Sequence, residues 1–480
     1  MSTTAQTTSP SMALDALLAD IGLSSADAGG SVTFAGADPI FPSRLCLGAA
    51  IGIPVMACAV GAASIWRMRT GQGQDLSLDL RQAIHGITPH YAWHPTLNGL
   101  AHPIATIFDN YFTLAPYRTR DERTVMASGV YPHQSASWLR FLGAPPDWEK
   151  ILAAFAQWDS GELEEAANTQ GLPLTIARTP QEWLEHPHGA LLASKPVIEI
   201  EKIADGDPQP FTPGERPLSG VRVLSFTHAV AGPTVGRTLA EQGADVLNVT
   251  YPNHFEHDFI YNEANVGSRS INLDLRIAGH RARVERLLAG TDVLVDNHRP
   301  GKMAAHGLDP RRLADQHPGI VSVSVNAYGH EGPFKDRAGF DMNGSAASGV
   351  MAIEGGDGDP QLPPTGMLND FITGYLGAAG ATAALIRRAT EGGSYKVSVS
   401  LTRTGMFVTS LGTVDPTQAG SSPANEVREP GRVEADTPLG ALVQLAPPVT
   451  FSSTSPRWED PILVPRGSGK PEWQSARPRI

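Results

Sequence analysis

PLSGVRVLSFTHAVAGPTVGRTLAEQGADVLNV, residues 217–249, carries the strand–helix–strand pattern from which the fold is read. VRVLSF (221–226) is an almost unbroken apolar run, AGPTVGRTLAEQG (231–243) a turn and helix, and ADVLNVT (244–250) a second apolar run. Strands that do not alternate with polar residues are covered on both faces. A helix between two such strands makes a crossover, and the strands then lie parallel. The pattern continues with a helix at RARVERLLAG (281–290) and strands at TDVLVDN (291–297) and GIVSVSVNAYG (319–329). An α/β fold with a doubly wound parallel sheet is therefore expected over 218–414.

This strand–turn–helix stands where dinucleotide folds place their glycines, but G-x-G-x-x-G is missing. Only Gly232 and Gly236 are present, Pro233 follows the first, and the second strand ends in Thr250 rather than a ribose-holding acid. Neither NAD nor a flavin is expected, and no metal-ligand cluster is legible.

The 480 residues exceed what one core needs. LGAAIGIPVMACAVGAASIWRM (47–68) reads as a small-residue helix, and RTGQGQDLSLDLRQAI (69–84) as a glycine turn entering an alternating strand. They follow a loose lead-in over 1–45 with one short helix near ALDALLADIG (13–22). A smaller α+β domain is expected over 100–203. It has a hairpin in FDNYFTLAPYRTRDERTVMASGV (108–130) and surface helices at 133–143, 148–158, 161–171 and 179–186. Residues 204–217 read as a Pro-rich linker, and 415–480 as an extended tail that wraps over other parts of the chain. A shift of about 321 positions pairs Arg67 with Arg388, Gly71 with Gly392, Ser77 with Ser398 and Leu80 with Leu401, an internal repeat.

The net charge of −12 argues against nonspecific nucleic-acid binding, while a few local arginines still suffice for a small anion. No run is read as reaching membrane-span length, and MSTTAQTTSPSMALDALLAD lacks the order of a secretory signal. Cys46 and Cys58 cannot make a disulfide framework, which fits a reducing cytoplasm.

Five stretches, in order and spacing, resemble the class III CoA-transferases, a family that includes formyl-CoA and carnitine CoA-transferases and α-methylacyl-CoA racemase. They are PLSGVRVLSFTHAVAGPTVGRTLAEQGADVLNV, SRSINLDLR (268–276), DVLVDNHRPGKMAAHGLDP (292–310), YGHEGPFKDRAGFDMN (328–343) and LNDFITGYLGAAGATAALIRR (368–388). RTGQGQDLSLDL (69–80) and TPQEWLE (179–185) are similar to further family segments. Residues 1–99 then look like a lead-in plus the helix and strand of a large-domain tail. With the small domain they precede the large-domain head, as in a permuted or tandem-derived chain. The resemblance implies acyl-CoA and a carboxylic acid as small-molecule partners, coenzyme A as the group carried, and a homodimer of the family's interlocked kind.

The same resemblance implies that Asp370 is the nucleophile. A carboxylate of ordinary pKa, about 4, is ionised at neutral pH without a neighbouring base. Amides at the start of the helix carrying Phe371 are the expected oxyanion donors. Read locally, an acid at a helix start is instead an N-cap. The implied CoA contacts are His228 and Ala229; Leu273, Asp274, Leu275 and Arg276; and Gly339, Phe340, Asp341, Met342 and Asn343. Arg269 and Arg299 are further phosphate candidates.

Departures from the family pattern fall on Val230, Thr250, Ala305 and Phe340. Phe340 stands where the racemase carries a proton-moving histidine, which disfavours racemisation. A racemase- or isomerase-like enzyme and a catalytically silent CoA-binding subunit are the alternatives.

Overall fold

The computed structural model describes residues 7–87, 93–101, 110–365 and 367–474. Helix α1 spans Pro10–Asp20, strand β1 Gly29–Ala35, helix α2 Leu47–Thr70 and strand β2 Gln74–Asp79. The loose lead-in is thereby corrected. β1 lies parallel to β2, with Val32 beside Leu76 and Phe34 beside Leu78. The alternation read in β2 is present: Leu76 and Leu78 are buried, Asp75 and Ser77 exposed.

Helix α2 overturns a second expectation. It is long and apolar enough, by length and composition, to cross a membrane. Every residue from Leu47 to Ile65 is buried within the chain, however, as in the core helix of a folded domain. Both cysteines are free and buried, behaving as small apolar side chains.

Strands β3 (Thr96–Leu97) and β4 (Leu100–Ala101) pair as a short hairpin. Next, β5 (Pro116–Arg118), β6 (Thr124–Ala127) and β7 (Leu174–Ile176) form an antiparallel sheet. The hairpin stretch read from sequence begins at Phe108; its first two residues lie outside those described. Helix α3 (Pro132–Leu142) and its neighbours pack on this sheet around Phe112, Tyr117, Trp138 and Phe155.

The large sheet contains β8 (Glu199–Ala204), β9 (Arg222–Phe226), β10 (Asp245–Thr250), β11 (Ser268–Asn272), β12 (Val293–Asp296), β13 (Val321–Asn326) and β14 (Ser394–Ser400). Its order is β11-β10-β9-β12-β13-β14-β8. All pairs from β11 to β14 are parallel, and β8 closes the edge antiparallel to β14. The order reverses between β9 and β12, so their carboxyl ends open a crevice. Helices α4 (Ala231–Ala240), α5 (Asp341–Ser348), α6 (Leu368–Glu391) and α7 (Leu401–Ser410) follow the same stretch of chain. Leu224, Leu247 and Leu294 pack on one face of the sheet, and Val223, Val246 and Val293 on the other. Strand β8 had no sequence signal; it emerges where the small domain was expected to end.

The tail contributes β15 (Arg432–Thr437), β16 (Gly440–Leu445) and β17 (Val449–Phe451). It is thus more regular than the extended run expected. β16 joins β3, while β17 lies antiparallel to β2. Beyond them Trp458, Ile462 and Leu463 enter the main core.

The repeat is realised in space. Leu47 and Leu368, which begin α2 and α6, stand 321 positions apart, as do Thr70 and Glu391, which end them. Each helix leads into a strand flanked by one parallel and one antiparallel neighbour: β2 between β1 and β17, β14 between β13 and β8. The antiparallel partners are exchanged. Strand β8, downstream of β2, completes the second half's sheet, and β17, downstream of β14, completes the first half's. The two halves are thus tied together by exchanged edge strands within this one chain.

α2 and α6 cross where Gly61 meets Thr382, again 321 positions apart. A Cβ on Gly61 would collide with Thr382 Oγ1, which itself donates to Ala379 O at 2.8 Å. Gly61→Leu is expected to destabilise the protein by about 1–3 kcal/mol through overpacking. The measurement is a lowered urea midpoint at unchanged slope, partly restored by adding Thr382→Gly.

Candidate active site

After β9 the chain turns through Thr227, His228 and Ala229 into α4, and side chains from three other segments hold that turn. Asn248 Oδ1 accepts from Thr227 N and Oγ1 at 3.3 and 3.1 Å. Asn297, just past β12, clamps the His228 peptide: Oδ1 accepts from its N–H at 3.1 Å and Nδ2 donates to its carbonyl at 2.7 Å. Glu256 accepts the Ala229 N–H at 2.8 Å. Ala229 has φ 57°, the left-handed region costly for a residue with a Cβ, and these bonds hold it there.

The His228 ring lies 3.4 Å (Nδ1) from the Tyr131 hydroxyl and faces the rings of His254 and His298. Burial, then His298 and His254, push its pKa down to about 3. It is a neutral imidazole at physiological pH, able to accept or donate one hydrogen bond without bringing charge.

At the reversal of strand order lies a cavity of about 690 Å³, within the range of small-molecule sites. Three cationic side chains, Arg276, Arg299 and Lys302, are among those that line it. Arg276 is held by Asp274 at 2.8 Å, while Arg299 and Lys302 have no ion-pair partner among the described residues. An acidic chain thus concentrates positive charge at one crevice, as an anionic ligand requires.

Asp370 sits in the first turn of α6. The N-cap is Met367, with no side-chain cap bond, so Asp370 is not the cap. Its own N–H donates to Asp341 Oδ2 at 2.8 Å, and Asp341 also accepts from the Asn369 N–H. Among the described residues no hydrogen bond reaches the Asp370 carboxylate. Burial, then the charge of Asp341, raise its pKa well above the usual carboxylate range. Burial likewise raises Asp341 to about 7. Two expectations are corrected: the acid does not have an ordinary pKa, and the amides of residues 369 and 370 are occupied by Asp341 rather than open to an oxyanion.

Of the residues singled out from sequence, His228, Leu273, Asp274, Leu275 and Arg276 line the cavity, as do Arg299, Gly339 and Phe340. Ala229 stands at the turn above it without lining it. Arg269 is turned away, paired with Asp245 at 2.8 Å on the sheet edge. Asp341, Met342 and Asn343 are buried at the start of α5 behind Phe340, where Asn343 Nδ2 donates to Met126 O at 3.0 Å. Asp370 does not line the cavity either.

Tyr131 joins the two places. Its hydroxyl touches His228 and Glu256, its ring faces Phe340, and its phenol responds to the charge of Asp370. Asn297, His298 and Lys302 were missed as individuals although they stand in DNHRPGK (296–302). Tyr131 and Glu256 had no local signal, because only folding brings them to the site.

Residues 218–441 match the model of CoA-transferase family III. An acetyl-coenzyme A transferase from Hypoxylon pulicicidum is 30% identical over 327 residues, 62% of this chain and 55% of that protein. A succinyl-CoA:glutarate CoA-transferase from Mus musculus is 34% identical over 196 residues, 38% of this chain and 45% of that protein. Among solved structures, a CAIB/BAIF family protein from Brucella suis is 26% identical, covering 48% of this chain and 65% of that one at a TM-score of 0.38. The chain spans about half the length of the curated relatives it matches.

His228 should show no protonation above pH 4 in a nuclear magnetic resonance titration. Since the unfolded chain protonates it near 6.5, unfolded molecules bind more protons between about 3 and 6.5. This residue's contribution to stability is therefore lost as pH falls through that window, and His228→Gln should flatten the dependence.

Proposed function

We propose that this chain, whose residues 218–441 match the model of CoA-transferase family III, moves coenzyme A between an acyl-CoA thioester and a free carboxylic acid, with Asp370 as the nucleophile. The observation that carries this reading is an acid in the first turn of α6 whose backbone amide is held and whose carboxylate has no hydrogen-bond partner among the described residues. A capping acid has its charge engaged by backbone amides, which makes it a weaker nucleophile; the Asp370 carboxylate is not engaged in that way.

The steps balance without a net proton or electron. The Asp370 carboxylate attacks the thioester carbonyl, the C–S bond breaks, and coenzyme A departs as thiolate, leaving a mixed acyl–aspartyl anhydride. The thiolate attacks the aspartyl carbonyl, expelling the first acid as its carboxylate and forming an aspartyl-CoA thioester. The incoming carboxylate attacks that thioester and again displaces thiolate. The thiolate then takes the new acyl group and frees Asp370.

The cavity supports the reading at the other end of the substrate. Arg276, Arg299 and Lys302 provide charge-assisted donors for the phosphates of coenzyme A. The raised pKa of Asp370 makes its ionised form scarcer but more basic, hence a better nucleophile once formed. Phe340 leaves no proton carrier at its position, which favours group transfer over racemisation. Free cysteines fit a cytoplasmic setting.

Incubation with a panel of acyl-CoA thioesters and hydroxylamine should yield an aspartyl hydroxamate at residue 370, read by mass spectrometry. Asp370→Asn should lower turnover by more than about a thousandfold; unchanged turnover would overturn the assignment. Arg299→Ala and Lys302→Ala should each weaken coenzyme A binding about tenfold at low salt and less at 0.5 M, measured by calorimetry.

A further inference from the structure

Two helix starts in this chain are held in the same way. At α6 the Asp341 carboxylate accepts the N–H of Asp370 at 2.8 Å and that of Asn369. At α2 the Asp38 carboxylate accepts the N–H of Gly48 at 2.8 Å and of Ala49 at 2.9 Å. Gly48 and Ala49 stand 321 positions before Asn369 and Asp370, in the register that aligns the two helices throughout. The acids also share a local setting, Ala35-Gly36-Ala37-Asp38 in one half and Ala338-Gly339-Phe340-Asp341 in the other. Neither helix has a side-chain cap bond from its own N-cap residue, Cys46 or Met367. The first half has therefore kept the acid that receives the two amides and carries a methyl group where the second half carries the nucleophile.

We propose that Asp341 is a positioning residue with two separable tasks: its carboxylate fixes Asp370 through the backbone amide, as Asp38 fixes Ala49, and it sets a second buried acid beside the Asp370 carboxylate, a task Asp38 does not have. The inference rests on Asp370 being the nucleophile. An amide or hydroxyl at 341 would suffice to accept two N–H groups. A carboxylate does more, because a neighbouring negative charge opposes ionisation of Asp370 and leaves its ionised form more basic. Asp341 is buried and further hydrogen-bonded. Ser345 donates to Asp341, and Asn369 Nδ2 donates to Ser345 Oγ at 2.8 Å and to the Asp341 carbonyl at 3.2 Å. The phenol of Tyr131, just ahead of α3, feels the charge of Asp370 together with those of Glu256 and Arg466.

The test separates the tasks in the full-length protein, with hydroxamate formation at residue 370 as the readout. Asp341→Asn keeps an acceptor oxygen and removes the charge; the midpoint of its pH–rate profile should move down by about one unit, with thermal stability close to wild type. Asp341→Ala removes both and should slow acylation at least about tenfold at every pH. Asp38→Ala, or Asp38→Asn should the alanine variant not fold, should lower thermal stability and leave the acylation profile in place. An unmoved midpoint in Asp341→Asn, or slowing in Asp38→Ala equal to that in Asp341→Ala, overturns the proposal. If the wild type forms no adduct at residue 370, the nucleophile reading itself fails. The pairing of charges is then read without substrate, from the carbon-13 carboxyl titration of Asp370: a lower midpoint in Asp341→Asn supports it, and identical curves refute it.

Discussion

The contact between Gly61 and Thr382 fixes how closely the two long helices approach, and the arrangement of the rest follows from that distance. A glycine at the crossing lets one helix rest directly on a side chain of the other. Helix α6 is lined with further small residues on its other sides. A Cβ on Gly374 would run into Thr234, on Gly377 into Val235 of α4, and on Gly380 into Val397 of β14. It is thus wedged between α2, α4 and the sheet with almost no side-chain padding. Dense packing of this kind has few alternative arrangements. The first turn of α6, and Asp370 with it, is held against α5 as a consequence.

Around the crevice, backbone is positioned by side chains rather than by regular structure. Asn297 grips the His228 peptide, Asn248 the Thr227 turn, Glu256 the strained Ala229, and Asp341 the start of α6. Each is a polar group that would be costly to bury alone and is satisfied by an amide that would otherwise be orphaned. The same economy explains why the expected oxyanion donors are not free: the helix start meets an acid from a neighbouring helix, and the stronger acceptor takes both amides.

The two halves of the repeat are unequal in a way that informs function. Both keep a long helix, a strand between one parallel and one antiparallel neighbour, and an acid receiving the helix's first amides. Only the second half keeps the crevice strands and the carboxylate at the helix start. The first half reads as a scaffold against which the second is built, joined to it through exchanged strands.

Local pattern carried the apolar strands of the large sheet, the helices between them, the alternation in β2 and the 321-residue repeat. Each depends on side chains close in sequence meeting a sheet face or a helix stripe. The motifs around His228, Arg276 and Arg299 were grouped by the family resemblance, and the fold brings them to one cavity because each follows the carboxyl end of a parallel strand, β9, β11 or β12. Three things were decided only by tertiary structure. Burial of α2 separates a core helix from a membrane-like one, and no composition rule distinguishes them. Strand β8 gains its place from β14, nearly two hundred residues away, because an edge strand needs only a partner's free amides and carbonyls. The state of Asp370, uncapping, half-buried and within the electrostatic reach of Asp341 and Tyr131, arises from groups on separate elements; electrostatics and hydrogen bonding act through space, and distance along the chain says nothing about them.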